Sequence, residues 1–555
     1  MWQKIFPPLD WLRHYNSNLF RSDLVAGITL AAYGIPVSLA YATLAGLPPH
    51  YGVYGYLLGG FFYALLGSSK QLAIGPTSAI SLLIGTTIAD MAQGDIQRWA
   101  EIASLTALVF SVMAILAYFL RLSSIINFIS ETVLVGFKAG ACLTIGLTQL
   151  PKLFGIAGGG DSFIERLIAI VQQLPGINIQ VFLFGISAIA ILIIGDKIFP
   201  GKPIAIIVVA TSILLISFTA LGSHGFTTVG LIPAGLPSFH MPPLLVRDVD
   251  GVIPLALACF LLSYIESVSA ARSLAQKNNY EIDPRQELLA LGIANAATAL
   301  GQSYPVAGGL SQSSVNDSAG AKTPLALIFA SVSIALCLLF LTSMLQNLPM
   351  VILAAIVLVA ISSLFDVKEM KHLYKVDKKE FAIAMVALFG VIILGILKGV
   401  LLAALATILL LIKSASNPNV AFLGRIPGTR RYSDLVRHPD NEPIPGILIV
   451  RIESAILYFN TDFIREKILA KINEPTNDFK RLILDMNSSP IIDISGARFF
   501  RRLTDDLNAK GVTLQIAEAH SEVRDMLRSE NLEELLGHIS RFVSVDDLVK
   551  EAEKK

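Results

Sequence analysis

Hydrophobic residues occur in long runs between residues 24 and 412. The stretches 102–120, 204–221 and 325–345 contain no charged residue. Because an α-helix needs about 20 apolar residues to cross a bilayer, these runs predict membrane-spanning helices. They form two blocks, 23–220 and 251–413, separated by a segment (222–250) rich in glycine, proline, serine and threonine. The pattern predicts a polytopic helical membrane protein built from two halves.

Two short apolar stretches, each interrupted by glycine and proline, stand at corresponding places in the two halves. The first reads QLAIGPTS over residues 71–78, and the second reads YPVAGGLSQSSVN over residues 304–316. Gly75 lies 51 residues after Leu24, and Gly308 lies 57 residues after Gly251. In carriers built from inverted repeats, such segments form broken helices that meet at the substrate site. The pairing therefore predicts a transporter.

Positive charges in the loops predict the orientation in the membrane. Residues 1–22 carry three basic side chains, and residues 366–380 carry five lysines. By the positive-inside rule both segments face the cytoplasm, and residues 222–250 face outward. We expect a multi-pass protein of the plasma or inner membrane, with 1–22 as an N-terminal cytoplasmic segment and the C-terminus also cytoplasmic.

The chain becomes polar after residue 413. Turn residues and charges predict a linker over 416–445. Beyond it, short β-like runs at 447–452, 481–486 and 512–519 alternate with helical patterns at 461–472, 496–509 and 521–529. This alternation predicts a small α/β domain with one sheet over residues 446–552.

Composition excludes several classes of protein. With 54% hydrophobic residues, 15% charged residues and a mean hydropathy of +0.65, the chain is too apolar to be soluble. The net charge of +1 gives no sign of a nucleic-acid partner. The three cysteines lack metal-ligand spacing, and no G-x-x-x-x-G-K-[ST] motif occurs. We expect neither an enzyme nor a nucleotide-driven pump, and no cofactor or metal.

Several motifs resemble one family. Residues 23–85, which begin DLVAGITLAAYGIPVSLAYATLAGLPPHYG, closely resemble the signature region of SulP anion transporters, the solute carrier 26 superfamily. The segments YIESVSAARSLA (264–275) and GGLSQSSVNDSAGAKT (308–323) support the resemblance, and residues 446–552 look like a STAS domain. The resemblance implies fourteen membrane segments in two inverted repeats of seven, within a transport domain spanning 23–415. It also implies an elevator motion of a core domain against a gate domain, and a homodimer surrounded by membrane lipid.

The resemblance also implies an anion site where the third and tenth helices of the family face each other with their N-terminal ends. Here those ends are Pro76, Thr77, Ser78, Gly309, Leu310 and Ser311. Unpaired backbone N–H groups and helix dipoles at such ends attract anions, and the hydroxyl groups add donors. Gly75, Gly308 and Gly309 let the backbone approach the anion. The alternative is that these glycines permit close helix packing.

Glu266 lies in the apolar stretch LLSYIESVSAA, where an ionised carboxylate is costly and a proton binds readily. The resemblance places it beside the anion site, so we expect Glu266 to be the proton-coupling group. The alternative is a structural ion pair with Arg272 or Lys138. Lys138 itself either pairs with Glu131, shapes the anion path or extends to the membrane surface from a helix end.

Two positions depart from the family pattern. Many relatives have Gln directly after the Ile-Pro of the first helix, where this chain has Val37 after Pro36. Many also have Arg in the Ser-Arg-Ser element of the tenth helix, where this chain has Gln312. The second change removes a fixed positive charge near the anion. A proton on Glu266 then matters more, or a less charged substrate fits better.

Ser495 lies in the sequence IDISG of the STAS-like region, at the position of a serine that related regulatory antagonists phosphorylate. The alternative, which we favour for a transporter-linked domain, is helix capping by Asp493 or Ser495.

The function expected from these observations is secondary active transport of inorganic oxyanions, with proton-coupled sulfate uptake as the leading case. The alternative within transport is a sodium-coupled bicarbonate carrier. Further alternatives are a channel-like or exchanging carrier of chloride or dicarboxylate, and a non-transporting sensor whose output is the STAS domain. A proton is the expected coupling ion, and sodium is the other possibility.

Overall fold

The computed structural model describes residues 15–123, 131–160, 162–199, 204–219, 225–362, 365–475, 478–537 and 539–554. The N-terminal segment predicted over 1–22 lies mostly outside these residues. The chain divides into two compact units, of which the first ends at Thr407 and the second begins at Ile408.

The first unit is helical apart from two very short strands. Its elements in chain order are α1 (Ser17–Leu44), α2 (His50–Leu66), β1 (Ile74–Gly75), α3 (Ser78–Ala92), α4 (Ile96–Phe119), α5 (Glu131–Phe154), α6 (Phe163–Gln173), α7 (Ile179–Ile198), α8 (Ile204–Phe218), α9 (Val249–Lys277), α10 (Pro284–Leu300), β2 (Ala307–Gly308), α11 (Leu310–Ser318), α12 (Leu325–Phe340), α13 (Thr342–Leu345), α14 (Met350–Ser362), α15 (Val367–Val376), α16 (Lys378–Leu394) and α17 (Ile396–Ser416).

Apolar length explains these helices. Within the described residues, six helical stretches are long and apolar enough to cross a membrane, and α3, α8 and α12 are shorter apolar helices. The first span begins at Ser17 rather than at residue 23, because the Asn16 side chain accepts hydrogen bonds from the backbone of Asn18 and Leu19 and so caps α1.

The two halves of this unit share one order of elements. Each begins with two helices, continues with a two-residue strand and a short helix, and then has a further apolar helix. The two strands pair antiparallel, with Ile74 opposite Gly308 and Gly75 opposite Ala307. This pairing joins the two broken segments directly, as two repeats of opposite orientation require.

Buried carboxylates also link the halves. Asp23 is fully buried in α1 and accepts the backbone N–H groups of Lys322 (2.7 Å) and Thr323 (3.0 Å), together with the Thr323 hydroxyl (2.6 Å). Glu287 of α10 is fully buried and accepts the Tyr63 hydroxyl at 2.8 Å. Such charge-assisted bonds fix the register between the halves.

The second unit is an α/β domain with a single five-stranded sheet in the order β4-β3-β5-β6-β7. Strands β5, β6 and β7 are parallel, and β3 is antiparallel to both of its neighbours. Its elements are β3 (Val420–Arg425), β4 (Tyr432–Asp434), β5 (Ile447–Ile452), α18 (Thr461–Ile472), β6 (Arg481–Asp485), α19 (Ile494–Asn508), β7 (Thr513–Ala517), α20 (Ser521–Ser529), α21 (Glu533–Leu536) and α22 (Val545–Glu553).

Residues 416–445 differ from the predicted linker, because they contain β3 and β4. Ala421 and Leu423 point into the domain core at 2% and 4% exposure, and β3 pairs with β5 along four residues. Burial of one face therefore draws this polar-flanked segment into the sheet.

Candidate functional site

The site begins with the two chain breaks. After β1 the chain passes through Pro76 and Thr77 into α3, and after β2 it passes through Gly309 into α11. Neither helix start receives a hydrogen bond from a capping side chain. Because the strands pair, the two uncapped starts lie close together. Their free N–H groups and positive dipole ends are directed to one place, which is suited to an anion.

Side chains on α9 and α11 hold the breaks in their extended conformation. The Gly308 N–H donates to Ser267 Oγ at 2.7 Å, and the Ala73 N–H donates to Ser313 Oγ at 2.9 Å. The Gln312 side chain donates from Nε2 to the Pro76 carbonyl at 3.0 Å. These bonds satisfy backbone groups that the missing helical turns leave unpaired.

A cavity of about 370 Å³ opens at the two helix starts. It is lined by eight residues that the sequence predicts for the site: Val37, Thr77, Ser78, Glu266, Gly309, Leu310, Ser311 and Gln312. Leu310 is 57% exposed at the start of α11, facing this open space. The cavity is large enough for one polyatomic anion together with ordered water.

Four other predicted residues of this unit, Gly75, Pro76, Gly308 and Pro36, do not line the cavity. A Cβ atom on Gly75 would lie 2.4 Å from the Tyr56 ring, and one on Gly308 would lie 2.8 Å from the Leu72 side chain. The packing role considered for these two glycines therefore accounts for them. Pro36 is buried within α1.

Two further residues that line the cavity from α1, Tyr33 and Tyr41, are not among those that the sequence predicts for the site. With Val37 they form a row at four-residue spacing on one helix face. This spacing was visible in the sequence, but tyrosine in an apolar helix is common and gave no functional signal.

Serine side chains extend the polar lining away from the helix starts. Ser269 and Ser273 on α9 lie about one and two turns beyond Glu266, and Ser314 lies on α11. All three are exposed within the unit. The cavity thus continues as a hydroxyl-lined path toward the Lys277 end of α9.

Two opposite charges face this cavity. Glu266 projects from α9 and Lys138 from α5, and Lys138 is the cation that acts on the Glu266 carboxylate. Within the described residues neither side chain forms an ion pair. The ion pair considered as an alternative for Glu266 is therefore not formed with Lys138 or Arg272. Among the lining residues, Lys138 is the one that carries a positive charge.

Two polar atoms of the lining are buried without a hydrogen-bond partner in the described part of the chain. One is the Gln312 amide oxygen and the other is the Thr77 hydroxyl. The Thr77 hydroxyl lies beside the Glu266 carboxyl group but outside regular hydrogen-bonding geometry. Unsatisfied groups at such a place are ready to bind a ligand or water.

Comparison with protein families identifies the chain. The sulfate permease family matches residues 20–387, and the STAS domain matches residues 438–547. The chain belongs to the sulfate permease family. It is therefore a member of a family of multi-pass membrane transporters and not an enzyme.

Curated relatives of this sulfate permease family member include plant and bacterial proteins. High affinity sulfate transporter 1 of Stylosanthes hamata is 31% identical, over 99% of this chain and 86% of the relative. Probable sulfate transporter 4.2 of Arabidopsis thaliana is 33% identical, over 98% of this chain and 83% of the relative. Probable sulfate transporter Rv1739c of Mycobacterium tuberculosis is 29% identical, over 98% and 97%.

Solved structures share the fold. Murine solute carrier 26 family member A9, an anion transporter in the inward-facing state, has a TM-score of 0.91 at 23% identity, over 99% of this chain and 94% of that chain. The transmembrane domain of the cyanobacterial bicarbonate transporter BicA has a TM-score of 0.62 at 22% identity, over 71% and 98%. The fold is thus that of the solute carrier 26 transporters, a helical membrane domain followed by a STAS domain.

In the STAS domain of this sulfate permease family member, Asp493 and not Ser495 caps α19. Asp493 accepts the Gly496 N–H at 2.6 Å with one carboxylate oxygen and the Tyr458 N–H at 2.9 Å with the other. Ser495 is half-buried in the first turn of the helix. The capping alternative explains the motif, and a regulatory role of Ser495 stays a prediction.

Proposed function

We propose that this protein is a secondary active transporter of small inorganic oxyanions, that sulfate is its main substrate and that sulfate moves together with a proton. The observation that carries the proposal is the cavity in which two uncapped helix starts face Glu266 and Lys138. The printed names of several relatives, which describe sulfate transporters, support the choice of sulfate.

Charge balance in the cavity links the proton to the substrate. The two helix starts contribute about +0.5 each, and Lys138 contributes a full positive charge. Sulfate carries two negative charges, so the site is neutral when Glu266 is protonated and has about one net negative charge when Glu266 is ionised. Because an unbalanced charge in a site of low polarity is costly, sulfate and a proton bind together.

A monovalent anion gives the opposite balance. With Glu266 ionised, the helix starts and Lys138 already compensate for one further negative charge. Chloride or bicarbonate in this site therefore binds without taking up a proton. The same residues thus predict proton coupling for divalent anions and its absence for monovalent ones.

The proposed transport cycle uses the hydroxyl-lined path. Gln312 supplies no positive charge and is bonded to Pro76, so Lys138 provides the fixed counter-charge that Arg supplies in many relatives. Thr77, Ser78 and Ser311 donate hydrogen bonds to the oxyanion, and Ser269, Ser273 and Ser314 lead from the site to one side of the membrane. We propose that the helices carrying the breaks move as an elevator past α5, which brings Glu266 and the bound anion to the other side.

The remaining proposals concern the organisation of the protein in the cell. We propose a homodimer in the plasma or inner membrane with both termini in the cytoplasm. The lysine-rich segment 366–380 supports the cytoplasmic placement of the termini. We also propose a transport domain that ends near residue 415, and a STAS domain that comprises the predicted residues 446–552 together with strands β3 and β4.

The test is uptake of radiolabelled sulfate by proteoliposomes under an imposed proton or sodium gradient, with bicarbonate, chloride and a dicarboxylate tested in parallel. Sulfate accumulation driven by the proton gradient is the expected result. Sodium-driven bicarbonate accumulation, or chloride flux that no gradient can concentrate, would contradict the proposal and favour a bicarbonate carrier or a channel.

A further inference from the structure

A second cavity lies at the far end of α5. It has a volume of about 270 Å³ and is formed by the last turn of α5, the first turns of α7 and α14, and the segment from Gly225 to Thr227. Its interior is apolar except for the ammonium group of Lys152, the Thr227 hydroxyl and exposed main-chain groups.

Lys152 has no counter-ion among the described residues. Within that part of the chain it makes no ion pair or hydrogen bond, and its half-buried ammonium group has lost part of its contact with water. By contrast, Arg98 and Lys277 of this unit are paired, since Arg98 contacts Asp248 and Lys277 lies 2.7 Å from Asp317. An unpaired, half-buried charge is costly unless something in its surroundings compensates for it.

Two carbonyls at the end of α5 are satisfied without this ammonium group. The Ile156 N–H donates to the Pro151 carbonyl, and the Asn178 N–H donates to the Phe154 carbonyl, both at 3.0 Å. The Lys152 side chain lines the cavity beside them.

The other two helices add to the positive potential. Val181 and Val351 line the cavity from the first turns of α7 and α14, so both helices present their positive dipole ends to it. No acidic side chain lines the cavity within the described residues. The C-terminal end of α5 opposes them with its negative dipole end, but Lys152 and the two helix starts outweigh it. The net positive potential favours a small anion as the ligand.

We infer that this cavity binds a small monovalent inorganic anion such as chloride, with Lys152 as its counter-charge. One ammonium group balances one negative charge, and the volume holds such an ion together with several waters of about 30 Å³ each. The site is separate from the transport cavity, because Lys152 lies fourteen residues beyond Lys138 on the same helix, about 21 Å along its axis.

Thermal unfolding of the purified full-length protein in non-ionic detergent tests this inference. The probe is chloride, titrated into a gluconate buffer, because gluconate is a much larger monovalent anion than chloride. The variants are Lys138→Met, which removes the counter-charge of the transport cavity, and the double variant Lys138→Met with Lys152→Met. Lys197→Met, at an exposed helix end, is the matched control in the Lys138→Met background.

We expect chloride to raise the unfolding temperature of Lys138→Met saturably by a few degrees, since a ligand stabilises the state that binds it. The Lys197→Met control should keep this rise, and the double variant should lose it. Single Lys152→Met should unfold in gluconate at the wild-type temperature or above, because it removes an unpaired, half-buried charge, and this result shows that the variant is folded.

The inference would be overturned if chloride still raised the unfolding temperature of the double variant saturably. It would also be overturned if chloride did not raise the unfolding temperature of Lys138→Met. Sulfate serves as the second probe and should raise the unfolding temperature of Lys138→Met less than chloride does. An equal or larger rise with sulfate would contradict a site for monovalent anions. The readout does not involve transport, so its failure is distinguishable from a failure to find sulfate uptake.

Discussion

Replacement of Glu266 by glutamine separates substrate binding from proton coupling. Glutamine is neutral and has nearly the shape of a protonated glutamate, so the charge balance that favours sulfate is kept permanently. In the wild-type protein each sulfate must bring one proton to reach this balance. In Glu266→Gln the anion binds and moves without a proton.

The size of the effect follows from the free energy of one proton. A difference of one pH unit is worth about 1.36 kcal/mol per proton, which corresponds to a tenfold concentration ratio. With one proton per sulfate and the membrane potential clamped at zero, vesicles whose exterior is one unit more acidic should accumulate sulfate up to about tenfold in the wild type. Glu266→Gln should reach a ratio of about one.

The assay is accumulation of labelled sulfate in proteoliposomes, combined with exchange of labelled against unlabelled sulfate at equal pH. Exchange should persist in Glu266→Gln, which shows that the variant is folded and binds its substrate. Asp250→Asn is the matched control, because Asp250 is an exposed acid on the same helix α9, and it should keep the full accumulation. Accumulation by Glu266→Gln that still follows the pH gradient would refute the reasoning.

Three further predictions concern other residues. Gln312→Arg adds a fixed positive charge at the helix starts, so sulfate uptake should lose most of its dependence on pH, and an unchanged pH profile would count against the charge balance. Asp493→Ala removes two backbone hydrogen bonds in the STAS domain and should lower its stability by about 1–2 kcal/mol, seen as faster hydrogen exchange at the start of α19. Ser495→Ala should leave the exchange unchanged. Equal effects of the two substitutions would contradict the assignment of Asp493 as the cap. Burial raises the pKa of the Asp485 carboxyl group, so the folded domain loses stability as the pH rises through that pKa. At pH 7 the Asp485→Asn variant should therefore exchange the amide hydrogens of β6 more slowly than the wild type. Faster exchange than in the wild type would contradict the destabilising effect of the ionised carboxylate.

The parts of the site that sequence predicts are those with an unusual residue in an otherwise uniform background. Glu266 is conspicuous because an acid in an apolar helix is rare, and the breaks at Gly75 and Gly308 are conspicuous because glycine and proline interrupt apolar runs. The position of Lys138 is different. Whether it pairs, reaches the surface or faces the substrate depends on which helix lies opposite α5, and that is a property of tertiary packing.

The same reasoning explains the differences in the fold. The pairing of β1 with β2 involves two residues from each half, which is too short for a periodic pattern to reveal. Strand β3 is flanked by turn residues and lies between two polar segments, and its buried alternation becomes visible only when β5 provides a partner. The α/β alternation after residue 446 is long and regular, and helices α18 and α20 begin and end at the predicted residues.

The most direct test of the central claim is a count of the protons that the protein takes up when it binds sulfate. Purified protein in weakly buffered detergent solution is mixed with sulfate, and the pH change is measured against a titrated standard. The account predicts about one proton per bound sulfate, and none for chloride or for sulfate bound to Glu266→Gln. Sulfate binding without proton uptake by the wild type, or equal uptake by Glu266→Gln, would contradict it.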